Sequence, residues 1–281
     1  MIPVGADELS RAAAALEHCS EGPIFLQSNI HNHGLAREGS DHRAVHLWRT
    51  PDWTGFTGLT AGGVLMPQMR DAGQGWSGLR PALQGRRIVG ANGESGQVVR
   101  AIEMLGLTDA PTALNREEPG FELDLKDMIV PDVGGLWSQP LRDVDRDLLL
   151  GWRAAYRVEI LGDTPAEAAR TAPAEIDDWM RDGSHRLIWQ DDRPVSLAGV
   201  NARLPGLVQI GGVYTPPELR RRGLARRAVA MLLAEMRGRG ATRACLFAAS
   251  AQAARAYIAI GFRHSGTIRM VFFSQPVEVT P

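Results

Sequence analysis

The sequence predicts an α/β (α+β) protein of two domains, in which a mixed central sheet is flanked by helices. The 281 residues are more than one compact unit usually needs and enough for two units, each with its own core. A hydrophobic content of 44% and a charged content of 22% are those of an ordinary globular protein. In the second half, strand-like and helix-like segments alternate, which is typical of an α/β domain.

The first half predicts a helix over residues 8–19, where apolar residues recur at helical spacing. Short apolar runs predict strands at 22–30, 44–48, 62–67, 121–125 and 128–130. Residues 86–107 predict a strand, a glycine-rich turn and a helix. A domain boundary is expected near 130–142, which gives predicted domains of 1–135 and 136–281.

The second half predicts four helices, of which the second is expected to break at Pro173. Their ranges are 143–162, 164–183, 224–240 and 251–260. Predicted strands occupy 185–190, 194–204, 206–215, 242–249, 262–266 and 267–273. Ser250 is the expected N-cap of the last helix, and Gly261 its stop.

The net charge of −1 gives no overall attraction to nucleic acid or to an anionic membrane. Of the 31 basic residues only Lys126 is a lysine, so an arginine carries little information by itself. Cys19 and Cys245 are too few for a disulfide framework. No apolar run reaches the ~18 residues of a membrane-spanning helix. These features predict a cytoplasmic, reduced protein without a membrane or nucleic-acid partner.

Five arginines fall between Arg220 and Arg227, directly after a predicted strand that ends at Val213-Tyr214-Thr215. The arginine loop leads into a helix at Gly223, so the unpaired first-turn amides point at whatever occupies the loop. Those amides and the positive helix end form an anion site. The sequence therefore predicts that this loop binds a phosphorylated ligand.

Residues 220–225, Arg-Arg-Arg-Gly-Leu-Ala, fit the Gln/Arg-x-x-Gly-x-Gly/Ala signature of the GNAT N-acetyltransferases. A second landmark follows: residues 250–257 resemble the Asn-Pro-…-Tyr helix of that family, and Gly261-Phe262 its closing Gly-Phe. The resemblance covers roughly residues 140–273. Ser250 and Ala251 depart from the usual Asn-Pro, which weakens any side-chain bond from that position to the cofactor.

The resemblance implies the GNAT acyl-CoA acyltransferase fold, acetyl-CoA as acyl donor, and a small-molecule or peptide amine as acceptor that attacks directly. It implies that Tyr257 protonates the departing thiolate. The residues expected to bind the cofactor are Val213, Tyr214, Thr215, Arg220, Arg221, Arg222, Gly223, Leu224, Ala225, Arg226 and Ser250. The expected oligomeric state is a monomer or a homodimer.

The strand LVQIGG, residues 207–212, contains no carboxylate that could act as the general base. Glu159, Glu218, His185 or a chain of waters are the alternatives. Glu159 ranks first because it ends an amphipathic helix on the same face as Tyr156.

Other interpretations stay open. The arginines also fit a solvated helix end or a nucleic-acid-binding module, and Ser250 with the absent carboxylate fits a non-catalytic acyl-CoA-binding or scaffold protein. His31 and His33 lack a third ligand cluster, so no metal site is expected.

The glycines of residues 90–96 have the wrong spacing for a dinucleotide fingerprint. We instead expect the N-terminal domain to be a degenerate copy of the same fold, since no Arg-x-x-Gly-x-Ala follows the strand-like run GGVLMPQM, residues 62–69.

Overall fold

The computed structural model describes residues 1–17, 24–69 and 75–280, so Cys19 lies outside the described residues. The chain forms two compact units. Unit 1 comprises Met1–Glu118 and Gly266–Pro281, and unit 2 comprises Pro119–Ser265. Each unit thus takes part of its chain from beyond the simple division at 135/136 that the sequence predicts.

The described helices are α1 Leu9–Glu17, α2 Phe25–His33, α3 Leu79–Leu83, α4 Ser95–Leu105, α5 Arg146–Tyr156, α6 Pro165–Asp182, α7 Leu224–Gly238 and α8 Ala251–Ile258. The strands are β1 Ile2–Pro3, β2 Val45–Arg49, β3 Gly55–Thr60, β4 Val64–Met69, β5 Arg87–Glu94, β6 Thr112–Asp124, β7 Leu136–Pro140, β8 His185–Gln190, β9 Arg193–Leu204, β10 Leu207–Tyr214, β11 Arg243–Phe247 and β12 Arg263–Glu278. A π-helical turn, Arg157–Leu161, extends α5. The predicted mixed sheet flanked by helices is confirmed.

In unit 1 the strands β2, β3 and β4 are antiparallel neighbours, and β4 runs parallel to β5. The far edge of β5 pairs with the C-terminal part of β12, from Ile268 to Glu278. Helices α1 and α2 cover one core, and α3 and α4 cover another that includes Val271 and Phe273. The last strand in the sequence therefore completes the core of the first unit.

Unit 2 repeats this layout. Strands β8, β9 and β10 are antiparallel neighbours, and β10 runs parallel to β11. The far edge of β11 pairs with the second part of β6, Gly120 to Asp124. Helices α7 and α8 pack on one face of the sheet. Helices α5 and α6 pack on the other face.

Residues 22–30 were predicted as a strand, and the described part of this segment belongs to helix α2. The prediction was wrong because the apolar run FLQSNI has no strict alternation. Leu26 and Ile30, four residues apart, both lie in the core of unit 1. The buried Gln27 donates from Nε2 to the carbonyl of Leu16 at 2.9 Å, which fixes α2 against α1.

The predicted break at Pro173 was also wrong, since α6 continues through this proline. A proline inside a helix costs about 3 kcal/mol. The packing of α6 before and after Pro173 offsets this cost, because Ala168, Ala172 and Ile176 are buried. The capping box of Thr164 and Glu167 fixes the helix start.

Two smaller predictions near glycines and prolines failed. Residues 128–130 form no strand. The glycine-rich turn near 90–96 does not exist either, because β5 runs to Glu94 and α4 begins at Ser95. Gly90 lies in close contact with the backbone of β12, where a Cβ atom would come within 2.3 Å of the carbonyl of Val271. Gly90 therefore serves strand packing, and this segment forms no nucleotide loop.

Within the described ranges, none of the helices is both long and apolar enough to cross a bilayer.

Candidate functional site

Strands β10 and β11 of unit 2 diverge. Their parallel register covers only Leu207 to Gln209 on β10, opposite Arg243 to Cys245. Beyond that point β10 continues to Tyr214, and its pairing with β9 shifts between Gln209 and Ile210 and again between Gly211 and Tyr214. The edge of β10 that faces β11 is therefore open to an extended ligand, which can add to it as a strand does.

The end of β10 is held firmly. Ser196, which is fully buried, donates from its hydroxyl to the carbonyl of Tyr214 at 3.0 Å and lies 2.9 Å from the hydroxyl of Thr215. Arg220 donates from Nε to the carbonyl of Thr215 at 3.0 Å. Val213 packs against the core beneath α7. The predicted strand end 213–215 thus has a fixed backbone.

The arginine loop turns sharply before α7. Arg221 has φ 64° and Gly223 has φ 74°, both in the left-handed region, with Arg222 between them. Gly223 is the N-cap residue and offers no side chain, so it leaves the first-turn amides of α7 open. Alternating backbone conformations of this kind form concave anion sites.

Arg226 lies over this turn. A Cβ atom on Gly223 would come within 3.1 Å of the Arg226 Nε atom, and that nitrogen is buried without a hydrogen-bond partner among the described residues. Arg221 and Arg222 are exposed, and Leu224 is buried. Ala225, half-buried, follows in the first turn of α7. The turn thus brings the open first-turn amides of α7 next to the guanidinium of Arg226.

The positive φ of Arg221 yields a stability prediction. A left-handed conformation costs a non-glycine residue about 1–2 kcal/mol, so we expect Arg221→Gly to raise the free energy of unfolding by about 1 kcal/mol in urea titrations. Arg222→Gly is the matched control, because Arg222 is not among the residues of positive φ. Equal or opposite effects of the two substitutions would contradict the prediction.

Arg220 differs from the other arginines of the loop. Its two terminal nitrogens donate to both carboxylate oxygens of Glu159, at 2.7 and 2.6 Å. The hydrogen bond with Glu159 raises the pKa of Arg220, and its guanidinium also lies 6.0 Å from the ring centre of Tyr214. Arg220 therefore links the loop to the π-helical turn after α5, and Glu159 is its counter-ion.

Tyr257 lies on α8, and Ser250 directly precedes this helix. Ser250 is confirmed as the N-cap, since its hydroxyl accepts from the backbone amide of Ala253 at 3.2 Å. Tyr257 is only 6% exposed and packs edge-on against Phe262, with 6.2 Å between the ring centres. The phenol ring therefore belongs to the core between α7, α8 and the sheet.

Of the other bases considered, Glu218 is exposed in the short turn Pro217–Leu219. His185 is buried on β8, and burial lowers its pKa well below the usual value, helped by the charges of Arg153 and Arg186. The sequence interpretation ranked Glu159 above His185. The signal was two glycines, Gly199 of β9 and Gly212 of β10, which leave space for its ring.

Unit 1 contains a similar divergence. Strands β4 and β5 pair in parallel only at Val64 and Leu65. Here the backbone amide of Met69 donates to the Gln97 side-chain oxygen at 2.6 Å, so a side chain occupies the strand edge. The corresponding N3 position of α8 in unit 2 holds Ala253.

The sequence interpretation also overlooked a motif in the first half. Residues 70–75, Arg-Asp-Ala-Gly-Gln-Gly, fit the Gln/Arg-x-x-Gly-x-Gly/Ala signature directly after β4. Residues 70–74 lie outside the described residues. The predicted loss of the signature in the N-terminal copy is therefore wrong at the level of sequence.

Comparison with known proteins agrees with this geometry. Residues 152–262 match the acetyltransferase (GNAT) family. No curated protein matches the chain. Residues 152–262 form a domain of the GNAT acetyltransferase family, and it lies within unit 2.

Solved structures match over nearly the whole chain and show the fold. A GCN5-related N-acetyltransferase from Kribbella flavida is 18% identical with a TM-score of 0.58, and the match covers 95% of this chain and 96% of that one. One from Sphaerobacter thermophilus is 14% identical with a TM-score of 0.56, covering 100% and 95%. A tandem GNAT protein from the clavulanic acid biosynthesis pathway is 16% identical with a TM-score of 0.56, covering 100% and 98%.

Proposed function

We propose that unit 2 transfers an acetyl group from acetyl-CoA to a primary amine by direct attack. The observation that carries the proposal is the divergence of β10 and β11, which opens beside the arginine turn. An open strand edge is followed along the chain by a turn suited to an anion. This order fits a ligand that has an extended amide arm followed by a pyrophosphate.

In this proposal the donor binds mainly through the backbone. The groups of Val213 and Thr215 that face away from β9 pair with the pantetheine arm. The first-turn amides at Gly223, Leu224 and Ala225 bind the pyrophosphate. Arg222 and Arg226 supply charge-assisted hydrogen bonds, while Arg220 positions the turn through Glu159 and Thr215. Ser250 contributes by starting α8.

The chemistry needs no protein nucleophile. The amine nitrogen forms a bond to the thioester carbon, and an amide near Tyr214 stabilises the oxyanion. Collapse of that intermediate breaks the carbon–sulfur bond, and Tyr257 gives its phenolic proton to the departing thiolate. A second proton leaves the amine for a base. The products are the N-acetylated amine and coenzyme A.

A screen for thiol release tests the proposal. Acetyl-CoA is mixed with the full-length protein and a polyamine, an amino sugar, an aminoglycoside or a peptide with a free N-terminus. Amine-dependent release of free thiol supports transfer. Tight acetyl-CoA binding without release from any amine would instead support the non-catalytic acyl-CoA-binding protein, which the departures at Ser250 and Ala251 favour.

The sequence predicts Glu159 as the general base, we propose instead that it is the counter-ion of Arg220, and Glu159→Gln distinguishes the two roles. Both carboxylate oxygens accept from Arg220, so a carboxylate acting as base has to leave that pair. We expect kcat to change by less than about threefold, since a solvent-exposed ion pair contributes only ~0–1 kcal/mol. KM for acetyl-CoA should rise severalfold as the turn loosens. A fall in kcat of ~10²-fold or more with unchanged KM would establish Glu159 as the base.

For the rest of the chain we propose that unit 1 is a diverged second copy without a productive donor site, because Gln97 occupies its strand edge. The acceptor is a small molecule or a peptide amine, and the protein acts as a monomer or a homodimer in the cytoplasm.

A further inference from the structure

A buried histidine lies beside the divergent strand of unit 2. His185 is only 1% exposed, and its Nε2 atom has no hydrogen-bond partner among the described residues. Its other ring nitrogen, Nδ1, lies 2.8 Å from the hydroxyl of Ser184. A buried polar nitrogen without a partner is uncommon in folded proteins and requires an explanation.

Glycines on two neighbouring strands make room for the imidazole ring. His185 is paired with Gly199 of β9, where a Cβ atom would come within 2.0 Å of the ring. A Cβ atom on Gly212 of β10 would come within 2.7 Å of Nε2. Trp179 of α6 stacks on the ring, with 3.6 Å between the ring centres. The imidazole therefore lies across the sheet, and Nε2 reaches the irregular part of β10.

A small cavity adjoins this position. Gly212 and Trp179, two neighbours of the ring, line it together with Tyr214, Tyr156 and Trp152. Its volume is about 10 Å³, which is about the space that one water molecule requires. The cavity lies next to Gly212, the residue of β10 that Nε2 approaches, so a water in it lies at the backbone edge of β10.

The charges around the ring keep it neutral. Arg153 of α5 lies on the same side of the sheet as the ring and is paired with Glu175 of α6. The charge of Arg186 also acts on the ring, although Arg186 is paired with Glu235 of α7 on the other face of the sheet. Strands β9 and β10 present glycines and Tyr214. Burial, followed by the two arginines, lowers the pKa of His185. When Nδ1–H donates to Ser184, Nε2 keeps a lone pair that can accept a proton.

We infer that His185 is the base that receives the acceptor's proton, through one water held in the cavity at Gly212. This inference rests on the proposed acetyl transfer. The acceptor ammonium gives a proton to the water while the water gives one to Nε2, which leaves a neutral amine and an imidazolium. The amine then attacks the thioester carbon, and its second proton passes to the Tyr257 phenolate that is left once Tyr257 has protonated the thiolate. The imidazolium returns its proton to solvent after the product leaves.

The test compares His185→Gln with the matched control His264→Gln, an exposed histidine of the same unit. Thiol release is measured against pH with acetyl-CoA and the best amine of the panel above. We expect His185→Gln to lower kcat by about 10²-fold, with the Kd for acetyl-CoA unchanged by calorimetry. In the wild type and the control, kcat/KM should fall as the pH drops below the usual histidine pKa, which is the acid limb of the pH profile. His185→Gln should lack this acid limb.

The outcomes separate the two proposals. If no amine releases thiol, the acetyl transfer and the role of His185 both fail. If thiol is released and His185→Gln keeps kcat within about threefold with the same acid limb, the inference alone is overturned. Ser184→Ala covers the case in which His185→Gln unfolds: removing the hydroxyl at Nδ1 should displace the acid limb, and an unchanged pH profile overturns the inference.

Discussion

Arg222→Glu is expected to weaken acetyl-CoA binding to the full-length protein by at least about 100-fold, or about 2.8 kcal/mol. Arg222 is exposed between two left-handed residues and faces solvent at the N-terminus of α7. The substitution removes a positive charge and places a carboxylate where the pyrophosphate should bind. It therefore combines a lost charge-assisted hydrogen bond with repulsion next to open amides.

Calorimetric titration with acetyl-CoA measures this effect. Arg193→Glu is the control, because it makes the same charge change at the exposed start of β9 in the same unit. We expect Arg193→Glu to bind like the wild type and to share the net charge of Arg222→Glu. If the two variants bind equally well, the arginine turn is not the pyrophosphate site.

The titration also reports on unit 1. With the Met69 amide taken by Gln97, we expect about one acetyl-CoA per chain in the wild type and none at comparable affinity in Arg222→Glu. A wild-type stoichiometry of two, reduced to one by the substitution, would show that the second signature, residues 70–75, binds the coenzyme as well.

Local patterns predicted the elements of unit 2 well. Strands β8, β9 and β10 show apolar runs bounded by turn residues, and α7 has apolar residues at helical spacing. The N-cap at Ser250 depends on a hydroxyl that reaches an amide three residues ahead, which is a local event. Such features need only nearby residues, so the sequence suffices for them.

Features that depend on distant residues were not predictable in this way. The ion pair between Glu159 and Arg220 joins positions far apart in the chain. It makes Glu159 a counter-ion and fixes the side chain of Arg220, and neither role is visible in the sequence. The Nε2 atom of His185 has no hydrogen-bond partner in the described part of the chain, and its position depends on glycines contributed by two other strands. The C-terminal part of β12 completes unit 1, and no local pattern in residues 266–278 indicates which half it joins.

Position Arg221 shows how the two kinds of information combine. The family resemblance placed Arg221 among the residues expected to bind the cofactor, and the structure gives it a φ of 64°, a conformation that favours glycine. An arginine there carries backbone strain. In return it offers a guanidinium at the rim of the turn.

Tyr257→Phe is expected to lower kcat for acetyl transfer by about 10²-fold while the Kd for acetyl-CoA stays within about twofold. The ring is buried against Phe262, and phenylalanine keeps that packing, so the substitution removes little more than the hydroxyl. Without a proton donor the thiolate has to leave as an anion or take its proton from solvent. A thiol pKa near ~8.5 and a tyrosine pKa near ~10 make the transfer to thiolate only mildly uphill.

The measurement is single-turnover thiol release together with calorimetric binding and thermal unfolding of the same variant. Because the defect concerns leaving-group protonation, an acyl donor whose thiol has a lower pKa should restore much of the lost rate in Tyr257→Phe. The same donor should change the wild-type rate much less. Full activity of Tyr257→Phe with acetyl-CoA would remove the hydroxyl from the chemistry and leave Tyr257 as a core residue beneath α8.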